Sequence, residues 1–217
     1  MAEDDENRRR RGEHGEYDVG RMLALSDGVF AIAMTLLVLN IPVPDLPSHT
    51  TNAALLAALH KISGNGLAFA LSFVLVGVNW MRHRQLLRGV VRTDGPLVWC
   101  NLLMLLLVCV VPFTTGVLSR YGDLPTGAIL YAGNMALMAV AGLALRARAW
   151  TADLFGRRPE AAEMRASVIE SLVAAGVFLA SIPVAILSPT AAELFWLAQI
   201  VVPVWRRRFT AARRGAR

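Results

Sequence analysis

Arg21, Ser26 and Asp27 stand in the first turns of an otherwise apolar run, RMLALSDGVFAIAMTLLVL, over residues 21–39. A carboxylate in such a segment has little water to hydrate it. It persists where a partner holds it or where it serves a path for ions. Two chemistries fit Ser26 and Asp27: a buried hydrogen-bond network that fixes helix geometry, and direct ion binding. The network is preferred, because a buried Asp needs a cation or several donors. Such donors are present. Trp80 and His83 end the second apolar segment, and Asn101 enters the third from the same side. The indole offers one hydrogen bond, the amide two donors, and the imidazole one or two according to its protonation. His83 is thus either a structural member of the network or a pH-sensitive element.

The same helix carries a second pattern. Arg21, Leu25, Gly28, Ile32, Thr35 and Leu39 recur at alternating spacings of four and three, which aligns them on one stripe. One reading is a helix-packing seam. The other is a pore lining, in which symmetric copies of Ile32 and Leu39 form apolar constrictions that gate by dewetting. Thr35 would then offer oxygens to a partly dehydrated cation.

Other chemistry is sparse. The sequence holds no phosphate-binding loop, zinc-ligand pair or nucleotide fingerprint. Asn79 and Asn134 read as interhelical glue, and Cys100 and Cys109 as small buried hydrophobes. Pro112, Pro183 and Pro203 are expected to kink their spans. Glu170 is placed in an aqueous crevice near the start of a span, and Glu193 at the interface. Trp99, Tyr121, Trp150 and Trp205 read as interfacial anchors.

These residues must be positioned by helices. Six apolar segments, near 21–41, 55–81, 97–118, 127–149, 167–187 and 189–205, each have room for the roughly 17–25 residues of a span. Pro42, Pro44 and Pro47 stop the first, and Ser188-Pro189 turns the chain into the last. All basic residues except Lys61 and Arg120 fall in the N-terminal tail, the second and fourth connections with their flanks, or the C-terminus. The positive-inside rule then gives an all-α membrane protein of six transmembrane helices with both termini cytoplasmic. Residues 1–20 are expected to be a disordered cytoplasmic tail, 21–206 the six-helix unit, and 207–217 a basic cytoplasmic tail.

Composition agrees. Of 217 residues, 55% are hydrophobic, above the soluble range of roughly 45–50%. The net charge of +6 lies in short clusters between apolar blocks. That placement suits topology signals and anionic lipid headgroups better than nucleic acid. The expected partners are membrane lipids, with no nucleic acid and no soluble substrate.

The segment 21–39 resembles the RxxxFSDG first-helix motif of the transmembrane protein 175 potassium channels, in their prokaryotic branch. Arg21, Ser26, Asp27 and Gly28 match, and Leu25 replaces the motif aromatic. Trp80-Met-Arg-His83 resembles the family's W-x-x-H, and Asn101-Leu-Leu with Pro112-Phe113 resembles its third helix. The likeness covers about residues 17–208. It implies a cation-leak channel favouring potassium over sodium in a cell membrane, assembled as a homotetramer with the first helices around a central pore. Permeant K+ is then the one ion required, with no other cofactor. The family's constriction pattern falls on Ile32, Thr35 and Leu39, the residues that the helix stripe also brings together. Arg21, Ser26 and Asp27 are implied to hold helices together beside Trp80, His83 and Asn101.

No TVGYG-type filter and no span with Arg at every third position is present. Selectivity is therefore expected to be moderate and the channel not voltage-gated. The alternative reading is a proton-coupled secondary transporter using Asp27 and His83. An enzyme would need a paired nucleophile and base or a metal cluster at one depth, for which Asp27 with His83 is too thin.

Overall fold

Apolar runs of this length can satisfy their backbone within a membrane only by closing it into helices. The computed structural model describes residues 2–188, 191–192 and 195–196, with side chains from Val19 onward. Its helices are α1 (Ala2–Leu36), α2 (Asn52–Lys61), α3 (Ser63–Gly89), α4 (Gly95–Arg120), α5 (Pro125–Thr151) and α6 (Ala161–Leu187). A 3-10 turn, Leu37–Asn40, tightens the end of α1. Among the described residues, five helical segments are long and apolar enough to cross a membrane: Val19–Asn40, Ser63–Gly89, Gly95–Arg120, Pro125–Thr151 and Ala161–Leu187. Most of the sixth expected span, 189–205, with Glu193, Pro203, Trp205 and the tail 207–217, lies outside the described residues.

Several boundaries differ from expectation. The tail taken as disordered, 1–20, is helical from Ala2 and continuous with the first span. Its four Glu and four Arg residues are good helix formers. The segment expected as one span over 55–81 is two helices. Thr51 caps α2, its hydroxyl accepting from the Ala54 N–H at 3.3 Å, and the helix breaks at Ile62. Lys61 therefore closes α2 rather than heading a span. Arg82, His83, Arg84 and Arg88, expected in or at the edge of a connection, lie inside α3. Arg, Leu and Gln prolong that helix past the apolar stretch. The fifth span likewise starts earlier, at Ala161. α4 and α5 extend 97–118 and 127–149 by only two residues at each end.

The core runs along α5, which packs on α4 and α6, while α1 packs on α3 and α4. Hydroxyls join the layers: the Thr115 hydroxyl donates to Ser72 at 3.0 Å, and the Ser72 and Tyr131 hydroxyls lie 3.1 Å apart. The Asn134 amide of α5 donates to Leu107 O of α4. Asn79 bonds Leu75 O in its own helix, and no bond from it to another helix is found among the described residues. Trp196 folds back so that its indole donates to the Ser181 hydroxyl at 2.8 Å beside Tyr131. Cys109 is exposed and Cys100 partly so. The buried setting expected for the pair fails because α4 turns their two faces outward.

On the arginine-rich side the two connections are latched. Asp94 caps α4 by accepting the Leu97 N–H and receives Arg148 Nε and Nη2 at 3.0 and 2.6 Å. Val90 and Phe155 form an isolated antiparallel bridge. A Cβ at Gly156 would meet Val91 Cγ1 at 2.6 Å, so a larger residue there would push the Val91 side chain aside.

Candidate pore-lining helix and its supporting network

α1 has two faces. Met22, Ser26, Phe30, Ala33 and Leu37 are buried against the chain's own helices. Arg21, Leu25, Gly28, Ile32, Thr35 and Leu39 are all exposed. Ile32 is 61% and Leu39 75% exposed, so the packing partner a seam would need is not found among the described residues. A Cβ at Gly28 would meet nothing within 4 Å. The Thr35 hydroxyl donates to Ile32 O at 2.8 Å, which leaves its lone pairs for an outside group.

The buried face carries the network. Trp80 Nε1 donates to Asp27 Oδ1 at 2.7 Å, and the Arg84 guanidinium lies 5.2 Å from the Trp80 ring centroid. His83 Nε2 is 2.7 Å from Asn101 Oδ1. Asn101 Nδ2 donates to Ser26 Oγ at 3.2 Å, and Ser26 Oγ donates to Met22 O at 2.8 Å. The amide oxygen can only accept, so Nε2 carries the proton. The result is a directional chain from α3 through α4 to the α1 backbone. His83 and Asn101 are 3% and 1% exposed, where each lost hydrogen bond is costly. Phe30 packs on the His83 ring at 5.5 Å.

Ser26, Asp27, Trp80, His83 and Asn101 are thus brought together. Arg21 and Gly28 are instead on the exposed stripe. His83 Nδ1 has no hydrogen-bond partner among the described residues. It borders a cavity of about 30 Å3 shared with Asn79, Arg82 and Arg146, which is room for a water molecule.

One element of the site was not foreseen. Asn40, closing the 3-10 turn beside Leu39, donates to Pro112 O at 2.9 Å. Gly116 permits this, since a Cβ there would lie 2.6 Å from Asn40 Oδ1. An Asn at the end of an apolar span, opposite a Gly one turn past a Pro, is the signal that could have disclosed it.

A family model for the endosomal/lysosomal potassium channel TMEM175 matches residues 21–112. A potassium channel of Chamaesiphon minutus is 35% identical over 177 residues, covering 80% of this chain and 87% of that one. The chain belongs to the TMEM175 family. A potassium channel of Streptomyces collinus is 37% identical over 155 residues, covering 69% of this chain and 74% of its own. The crystal structure of a lysosomal potassium-selective channel TMEM175 homolog from Chamaesiphon minutus aligns with a TM-score of 0.76 at 30% identity. It covers 88% of this chain and 98% of that one. The chain is accordingly an all-helical, multi-pass membrane protein. The family match begins at Arg21 and ends at Pro112, and so encloses the stripe, the network and the Asn40 anchor.

Proposed function

We propose that this chain is a potassium-permeable channel in which the α1 helices of symmetric copies, as a homotetramer, surround the ion path. The observation that carries the reading is the exposed, mostly apolar stripe on α1, while Met22, Ser26, Phe30, Ala33 and Leu37 pack against the chain's own helices. Relatives in the family are named potassium channels, which supports K+ as the permeant ion.

Ile32 and Leu39 would each contribute an apolar ring. Water withdraws from such a constriction when it narrows, which closes the path without a moving plug. Thr35 lies between them, and its free lone pairs can replace part of an ion's hydration. Apolar rings with few oxygens support moderate preference for K+ over Na+ and a leak-type conductance. Gly28 leaves space where neighbouring α1 helices converge. The network fixes the rotation of α1, so that Ile32 and Leu39 meet the axis. The arginine clusters support placing that end of the bundle, and both termini, in the cytoplasm of a prokaryotic cell.

The proton-coupled alternative has less support. Asp27 is bonded to Trp80 and His83 to Asn101, so both side chains already serve the network.

The test is K+ flux into proteoliposomes, with a Na+ gradient as control. A channel gives fast, non-saturating flux, larger for K+, altered in Ile32→Asn and retained in Asp27→Asn wherever the tetramer survives. Slow saturable flux that loses proton coupling in Asp27→Asn would establish the transporter instead.

A further inference from the structure

The arginine-rich side of the bundle holds a second cavity, of about 390 Å3, between α3, α5, α6 and the turn joining α5 to α6. Its size falls in the range of small-ligand sites, roughly 300–1,000 Å3. Arg82 of α3, Arg146 of α5 and Arg157 of the turn line it, together with Glu163 and Glu170 of α6. Three guanidinium groups against two carboxylates leave a positive excess. Arg82 and Arg146 act on each other electrostatically, with Glu170 acting on Arg146 as well. The carboxylates of Glu163 and Glu170 offset part of the repulsion among the three guanidinium groups, and one positive charge remains in excess. Arg146 Nη1 donates to Ser171 at 3.0 Å, which uses one of its five N–H groups. Planar guanidinium forks match phosphate oxygens in pairs. Arg82 lies seven residues before the end of α3 and Arg146 five before the end of α5, toward the arginine-rich side of the bundle.

We propose that this cavity binds a phosphate group of net negative charge, held by Arg82, Arg146 and Arg157. An anionic phospholipid headgroup and free phosphate offer the same chemistry. The site is separate from the stripe on α1, so it does not depend on the assignment of the pore. Arg82 adjoins His83, and occupancy would hold the end of α3 that carries the network.

The experiment uses full-length protein stripped of lipid in a neutral detergent. Native mass spectrometry and thermal melting are followed with phosphatidylglycerol, phosphatidylcholine or inorganic phosphate. Arg157→Gln is the main variant, because Arg157 is exposed on a turn and its loss leaves the helices intact. Arg158→Gln is the charge control, since Arg158 lies over Trp150 at 4.5 Å and is not among the cavity's lining residues. Phosphatidylglycerol should be retained and raise the melting temperature. Its apparent affinity should fall about tenfold in Arg157→Gln, the effect of losing one charge-assisted contact. It should stay unchanged in Arg158→Gln and rise in Glu163→Gln. An Arg157-dependent shift with inorganic phosphate as well would make a free anion a ligand; a shift with the lipid alone would make the headgroup the ligand. Equal binding of phosphatidylglycerol and phosphatidylcholine with no phosphate effect would overturn the proposal. Equal losses in Arg157→Gln and Arg158→Gln would do so too.

Discussion

At the scale of single residues, the decisive contacts are few and each has a partner that can be removed. Trp80→Phe deletes the indole donor to Asp27 while keeping an aromatic ring. A hydrogen bond to a charged group is worth about 1.5–3 kcal/mol, so the melting temperature should fall by several degrees. Asn101→Leu should do as much harm, because it strands the buried His83 donor and removes the amide that donates to Ser26 Oγ. A wild-type melting curve in either variant would remove the network from the list of stabilising elements. Asp94 lies outside the spans, and the hydrogen bonds from Arg148 hold its carboxyl below the ordinary carboxylate range. A depressed carboxyl stabilises the fold above its unfolded value and ceases to as pH falls through its folded one. Asp94→Asn should therefore flatten the acid limb of a melting-temperature profile below about pH 4 and leave the shape near neutrality unchanged. An unchanged acid limb would show that the Asp94–Arg148 pair adds nothing.

At the scale of elements, the 3-10 turn Leu37–Asn40 is the part most exposed to small changes. It is held to α4 through Asn40 and Pro112 O, in space that only Gly116 leaves. Gly116→Ala drives a Cβ into the Asn40 amide, so that side chain must move and give up its bond to Pro112 O, which unties the turn that carries Leu39. Conductance or ion preference should change in this variant while helix content stays native. Asn40→Ala should reproduce the functional change at a cost of about 1 kcal/mol. Unaltered currents in both would dissociate Leu39 from its anchor. Much of this level was legible in residues 21–39, where Ser26 and Asp27 had to find donors and Trp80, His83 and Asn101 were the donors on the right side. The helix limits were less so. Hydropathy follows the apolar stretch, whereas α3 continues through Arg82, Arg84 and Arg88 because helix propensity outlasts hydrophobicity. The break at Ile62 and the Asn40 anchor depend on cap geometry and on a close approach between distant residues, which periodicity does not encode.

At the scale of the whole molecule, the unmatched face of α1 is what asks for further copies. Gly28 has open space around it within one chain. Gly28→Ala should therefore leave a single bundle intact, or stabilise it by up to about 1 kcal/mol through helix propensity. In the proposed tetramer, with four α1 helices around the axis, the added methyl groups should instead reduce K+ flux. Unchanged flux would place Gly28 away from the axis. The positions of the arginine clusters and the apolar stripe were both readable as pattern. Which exposed apolar residues face an ion path and which face lipid was not, because Ile32 and Leu106 are equally exposed on one chain, at 61% and 60%.

That pair supplies the most direct test. In a background with Cys100 and Cys109 replaced by Ala, single cysteines are placed at Ile32, Leu39 or Leu106, and K+ currents are recorded while a water-soluble charged thiol reagent is applied. A thiol reacts as the thiolate, which needs water. The reagent should block Ile32→Cys and Leu39→Cys channels and leave Leu106→Cys unaffected. Currents that persist at Ile32→Cys and Leu39→Cys but fall at Leu106→Cys would contradict a pore lined by α1.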